Sequence, residues 1–211
     1  MDSSKRQARL ERRRAEQRQG QAKWIIYIVV AATVLVGLVI VAQGLSGPQI
    51  GTYTQKDGVS LGDPSAPVTF IEFADFQCTH CLASYNSVEK ALIEQYVESG
   101  QMIFIYQPVA FLGPDSSSSA EGAYCAANQN LFWEYHDVLF APANFSSGNT
   151  GGYSEANLIA FAGDVQGMDV DAFSQCMASD EALPQLEAAH AQAQSLARLQ
   201  QAIEEALAAA N

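Results

Sequence analysis

Four cysteines carry most of the chemistry this sequence has to offer. Two of them stand in Cys78-Thr79-His80-Cys81, where an apolar strand pattern gives way to a helical one. A cysteine at the start of a helix faces unpaired backbone N–H groups and the positive end of the helix dipole, and both favour thiolate over thiol. His80, protonated or donating a hydrogen bond, adds to that preference. A stabilised thiolate is a good leaving group and makes its disulfide more oxidising. Cys81, one turn further on, is placed to resolve a mixed disulfide. The expected roles are Cys78 as exposed nucleophile and Cys81 as buried partner. Other readings stand beside this one: half of a zinc or copper site completed by Cys125, Cys176 or a histidine, or a purely structural bridge.

Glu72 lies six residues before Cys78 and, counting alternate faces, shares a side of its strand with Phe70. A buried carboxyl there would hold its proton more tightly and could exchange it with Cys81; the alternative is a solvated strand-end acid. The local spacing pairs Cys78 with Cys81 and leaves Cys125 with Cys176. That second bridge would close a loop of about fifty residues and is worth roughly 4 kcal/mol in the chain-entropy model. His136 reads as a packing or surface histidine and His190 as solvated. Asp164, Asp169 and Asp171 read as loop acids, because their spacing lacks a calcium-loop pattern. No metal or organic cofactor is expected.

The elements that must position these groups follow from periodicity. A turn through Pro64 and Pro67 precedes the apolar run Val68–Phe73, the first strong strand. Leu82, Tyr85, Val88, Leu92 and Tyr96 recur every three or four residues, which predicts an amphipathic helix ending at Gly100. Met102–Tyr106 is a second apolar strand, so the two strands should be parallel with a right-handed crossover. From Ser116 to Ala178 the pattern is helical, broken by a loop over Pro142–Tyr153. The stretch Pro184–Asn211 reads as one long helix whose apolar stripe, Leu196, Leu199, Ile203 and Leu207, is expected to pack on the sheet rather than form a coiled-coil dimer.

Charge divides the chain. The formal net charge is −12, yet residues 1–23 hold eight of the eleven basic residues and only three acids. Residues 24–211 hold three basic residues against twenty acids, a balance that argues against binding nucleic acid. Trp24–Ala42 is a run of nineteen uncharged residues, and a helix of that length covers roughly 28 Å, about one hydrocarbon core. The expectation is a retained signal-anchor, a transmembrane helix over 24–43, rather than a cleaved signal peptide. The arginines and lysines before it place 1–23 in the cytoplasm and everything after the helix outside the cell membrane. All four cysteines then lie on the exported side, where disulfides persist. Residues 44–58, rich in small polar residues, read as a linker to a domain over 59–211.

Leu61–Cys81 (LGDPSAPVTFIEFADFQCTHC) closely resembles the start of DsbA-like thioredoxin-fold domains of the membrane-anchored bacterial kind. The resemblance continues through Ala123–Gln129, Leu131–Asp137 and Phe173–Cys176, and covers about residues 59–180. It implies an α/β thioredoxin-like fold with a helical insertion over 116–180. It also implies thiol–disulfide exchange on the thiols and disulfides of exported proteins, with a redox partner to recycle the pair. The family's acidic proton acceptor falls on Glu72. The chain departs from the family at Thr79, where proline is common, and near the C-terminus. There the family's strand–turn–strand block, which carries a cis-proline beside the active cysteines, is missing. The expected consequence is an open sheet edge, with either weakened catalysis or a module that binds proteins without turnover. Metal delivery through Cys78, His80 and Cys81 is a third possibility.

Overall fold

The computed structural model describes residues 27–36 and 48–209. Residues 27–36 are helical (α1) and belong to a unit separate from the body, Pro48–Asn211. Most of the expected 24–43 span lies outside the described residues. Among the described residues no helix is long and apolar enough to cross a membrane.

The body is built on one strand–helix–strand unit. β3 (Val68–Ala74) and β4 (Met102–Pro108) are parallel, in a register that sets Phe70 beside Phe104 and Glu72 beside Tyr106. β4 alternates in burial, with Phe104, Tyr106 and Pro108 inward, as a half-buried strand should. The crossover is the helical stretch α2, residues 79–97, in which Thr79–Ser84 and Lys90–Leu92 are α-helical and Tyr85–Glu89 and Ile93–Val97 widen into π turns. The first wide turn puts Tyr85 and Glu89 together in the interior.

Two short strands complete the sheet: β1 (Lys56–Asp57) and β2 (Ser60–Leu61), in the order β1-β2-β4-β3. They correct the expectation of a linker running to residue 58. Asp137 draws that segment onto the body by accepting from Gly51 N (2.7 Å) and the Tyr53 hydroxyl (2.9 Å), and Lys56 pairs with Glu134. Two-residue strands of polar composition carry no periodic signal, so tertiary contacts alone reveal them.

Four helices follow β4: α3 (Pro114–Ala127), which lies against that strand, and α4 (Phe132–Phe140), α5 (Glu155–Ala162) and α6 (Val170–Ala178), which all pack against α3. Pro114 at the start of α3 follows Gly113, whose φ of 135° suits glycine alone; a Cβ there would also meet the Asn149 side chain. Asp169 caps α6 by accepting from Ala172 N at 3.0 Å. The core is aromatic: Trp133, Tyr106, Tyr135, Tyr153, Phe76 and Phe104 head its fully buried side chains.

From α6 the chain passes directly into α7 (Leu183–Ala209) with no intervening strand. β3 is consequently an edge strand among the described residues, with Val68 and Ile71 exposed. α7 buries Leu186 and Ala189 near its start, but Leu196, Leu199 and Ile203 are more than half exposed. That corrects the expected packing of the tail stripe on the sheet: β3 is the last strand on this side, and the distal half of α7 has no sheet to cover.

Candidate active site

The loop between β3 and α2 is pinned on every side, and this fixes Cys78. The Asp75 side chain is fully buried and accepts from Gln77 N (2.9 Å), Phe111 N (2.9 Å) and the Ser116 hydroxyl, while its backbone carbonyl accepts from Cys78 N (3.0 Å). Gln77, also buried, donates through Nε2 to the Gly148 carbonyl at 2.7 Å. The Tyr153 hydroxyl lies between the carbonyls of Leu139 (3.0 Å) and Phe76 (3.4 Å). The insertion thus builds the seat for the dithiol. Asp75→Asn puts an amide where three donors converge, and is expected to cost about 2 kcal/mol, given what hydrogen bonds to a buried charged group contribute. Urea unfolding of the full chain measures it; a loss under 0.5 kcal/mol, roughly the noise of a surface substitution, contradicts the role given to this side chain.

Cys78 is the N-cap residue of α2 with extended backbone (φ −77°, ψ 120°), and its side chain makes no capping hydrogen bond. Cys81 follows within the first turn. Both are free thiols and both are half-buried. Burial pushes the Cys81 thiol up to about 12, with the neighbouring Cys78 and Glu72 adding to the rise and the Asp75 backbone offsetting part of it. His80 is exposed on the outer face of the same turn.

Glu72 is half-buried and takes a hydrogen bond from the Ser84 hydroxyl at 3.1 Å. Burial raises its carboxyl above the usual range, while Ser84 and His136 hold it partly down. The Ser84 bond thus sets the Glu72 carboxyl of β3 against α2, the helix that carries Cys81. Cys125 and Cys176 are bonded to each other, joining α3 to α6 well away from this loop in sequence. Neither is then open to complete a metal site with the Cys78–Cys81 pair. Among the described residues no three His, Cys, Asp or Glu side chains gather as metal ligands.

His136 is fully buried on α4 rather than at the surface. His190, expected in solvent, accepts at Nε2 from Ala110 N (2.7 Å) and helps fix α7 on the segment after β4. A lone histidine in an alanine-rich helix carries no sequence sign of such a bond. Asp75 and Gln77 were equally hidden: polar residues beside the cysteine pair read as a loop until their partners, dozens of residues away, are known.

A family model described as Thioredoxin matches residues 54–201. The chain belongs to the thioredoxin family. The chain is 36% identical over 80 residues to Na(+)/H(+) antiporter NhaA 3 of Salinispora tropica, covering 38% of this chain and 12% of that protein. It is 27% identical over 118 residues to the probable disulfide bond formation protein D of Bacillus anthracis, covering 55% of this chain and 53% of that protein. Between an eighth and about half of each relative's length is thus spanned. Among solved structures, oxidised BdbD from Bacillus subtilis superposes with a TM-score of 0.58 at 20% identity, over 71% of this chain and 81% of that one. This likeness fixes the fold as thioredoxin-like with a helical insertion.

Proposed function

We propose that this thioredoxin-family chain is a membrane-tethered thiol–disulfide oxidoreductase that acts on exported proteins through Cys78 and Cys81. The observation that carries the reading is the free cysteine pair at the β3–α2 junction, its outer member at the N-cap and its inner member held as a thiol by burial. Disulfide bond formation proteins among the relatives support it. The apolar run 24–43 and the basic residues before it support a tether with 1–23 in the cytoplasm and the redox domain outside.

In the oxidising direction a substrate thiolate attacks Cys78 Sγ of the Cys78–Cys81 disulfide. The bond between the two cysteines breaks, and Cys81 leaves with the electron pair and takes a proton from Glu72. A second substrate thiolate then attacks the substrate sulfur of the mixed disulfide, and Cys78 leaves as thiolate. The substrate loses two electrons and the protein gains them; a redox partner must reoxidise the pair. The reverse sequence reduces or reshuffles a substrate disulfide.

The test is equilibration of the reduced full chain with mixtures of glutathione and glutathione disulfide, read by mass after acid quenching and alkylation. Cys78 and Cys81 are expected to interconvert between dithiol and disulfide while Cys125–Cys176 stays bonded. A pair that never oxidises at any ratio overturns the proposal. The open edge of β3 favours a second reading, a module that holds exported proteins without turnover. Redox cycling with glutathione but no oxidation of a reduced model protein supports that one instead.

A further inference from the structure

Behind Glu72 lies a pair of ionisable groups that exchange at two sulfurs does not by itself require. Glu89 on α2 and His136 on α4 are both buried, with His136 Nε2 3.6 Å from Glu89 Oε2. Six rings enclose the imidazole: Phe76, Tyr85, Tyr106, Phe132, Trp133 and Phe140, with centroids 4.6 to 5.8 Å away. Neither carboxyl oxygen of Glu89 and neither ring nitrogen of His136 has a hydrogen-bond partner in the protein, and the Tyr106 hydroxyl between β4 and α4 has none either.

Burying an acid and a base without hydrogen bonds costs more than filling the same space with apolar side chains. Packing is therefore a poor account of the pair. The groups that face it are few and identifiable. β3 contributes Glu72, and α4 contributes Asp137, whose Oδ1 is 3.8 Å from His136 Nδ1. Asp137 is itself held by the hydroxyls of Tyr53 and Tyr85. β4 contributes Tyr106, and α2 contributes Tyr85 and, toward solvent, Lys90. Glu72 stands where the dithiol and the pair meet: it accepts from Ser84 on the helix that carries Cys81, and it lies in register beside Tyr106, whose ring is 4.6 Å from that of His136.

We propose that Glu89 and His136 are positioning residues for the redox site, an internal acid–base couple that governs when Glu72 takes and returns the proton of Cys81. The proposal rests on the reading of Cys78–Cys81 as an exchanging pair. When a mixed disulfide on Cys78 is resolved, the Cys81 thiol gives its proton to the Glu72 carboxylate and its sulfur attacks Cys78 Sγ. The Cys78–Cys81 bond forms, the bond from Cys78 to the other sulfur breaks, and the departing thiolate is protonated from solvent. Glu72 must be a carboxylate to begin this step and an acid to reverse it. Protonated His136 favours the carboxylate, and ionised Glu89 favours the acid.

The two charges act in opposite directions, and this separates the proposal from a structural role. The experiment mixes the reduced full chain with glutathione disulfide from pH 5 to 9 and follows formation of the Cys78–Cys81 disulfide from its mixed disulfide by rapid acid quench. In Glu89→Gln, the Asp137 and Glu72 carboxyls still face His136 and favour its protonated form. The midpoint of the resolving step is expected to fall by about one pH unit, the size of a single neighbouring charge. In His136→Gln it is expected to rise by about as much, and the double variant should lie between the two. Glu89→Gln is close to isosteric and decides the matter alone if His136→Gln does not fold. Midpoints within about 0.3 unit of the parent, a span under half a kcal/mol, overturn the proposal, as does movement of both singles in the same direction. A parent chain that forms no Cys78–Cys81 disulfide at any pH overturns the underlying function as well, whereas an active parent with unmoved variants overturns this inference only.

Discussion

Cys78→Ser is expected to abolish thiol–disulfide exchange, with no rate detectable above that of the solution thiols, while leaving the fold unchanged. Exchange proceeds through a thiolate attacking a disulfide sulfur, and a serine oxygen cannot form the mixed disulfide. Cys81 cannot substitute. Burial, the first cause of its raised pKa, persists in the variant and keeps its thiol protonated at neutral pH. The complementary variant, Cys81→Ser, should still be attacked and should accumulate the mixed disulfide on Cys78, because nothing remains to resolve it. Mass analysis after incubation with glutathione disulfide distinguishes the two: one glutathione per chain in Cys81→Ser and none in Cys78→Ser. Glutathione accumulating instead on Cys81 of the Cys78→Ser chain would reverse the assigned roles.

The parts of this site that the sequence reveals are those encoded locally. An apolar run of β-branched and aromatic residues, a cysteine pair, a helical period and a second apolar run occupy about forty consecutive residues, and they yield β3, α2 and β4 within about three residues of their observed ends. The supports are encoded at long range and stay silent. Asp75 reads as an ordinary loop acid until Phe111 N and the Ser116 hydroxyl converge on it. Glu89 stands four residues after Tyr85 and three before Leu92, on the apolar face of the helical period, but an acid at that position gives no sign of what it faces inside. Its partner His136 stands 47 residues away on a helix with no partner evident in the sequence. The tail fails for another reason. The stripe of Leu196, Leu199 and Ile203 has the right period for burial, but an apolar stripe states only that something would be covered, and α7 runs beyond the sheet before reaching them.

Removing the Cys125–Cys176 bridge by the paired substitution Cys125→Ala and Cys176→Ala is expected to lower the unfolding free energy by about 4 kcal/mol, from the closure entropy of a loop of this length. The two cysteines are 51 residues apart in sequence. For a domain of this size that corresponds to a fall in Tm of about 10 °C. Alanine is the appropriate replacement because both sulfurs are buried, and a serine hydroxyl would add an unsatisfied polar group. The bridge ties α3 to α6, and α3 also carries Ser116, which holds the Asp75 carboxyl beneath the redox loop. Ser116 lies at the opposite end of α3 from Cys125, and its bond to Asp75 does not run through the bridge, so the loss should appear in stability and not in the chemistry: at 20 °C the double variant should still interconvert Cys78 and Cys81 with glutathione. The same separation predicts two stages on reduction of the oxidised parent. The Cys78–Cys81 bond should open first, with little change in Tm, because it closes a loop of only two residues. The buried bridge should open later, with the full loss. Thermal unfolding at stepped reductant concentrations, each sample alkylated and weighed, reads both stages. A double variant within 1 kcal/mol of the parent would show that the helical insertion is held by its aromatic packing alone, and would remove the structural role from this pair.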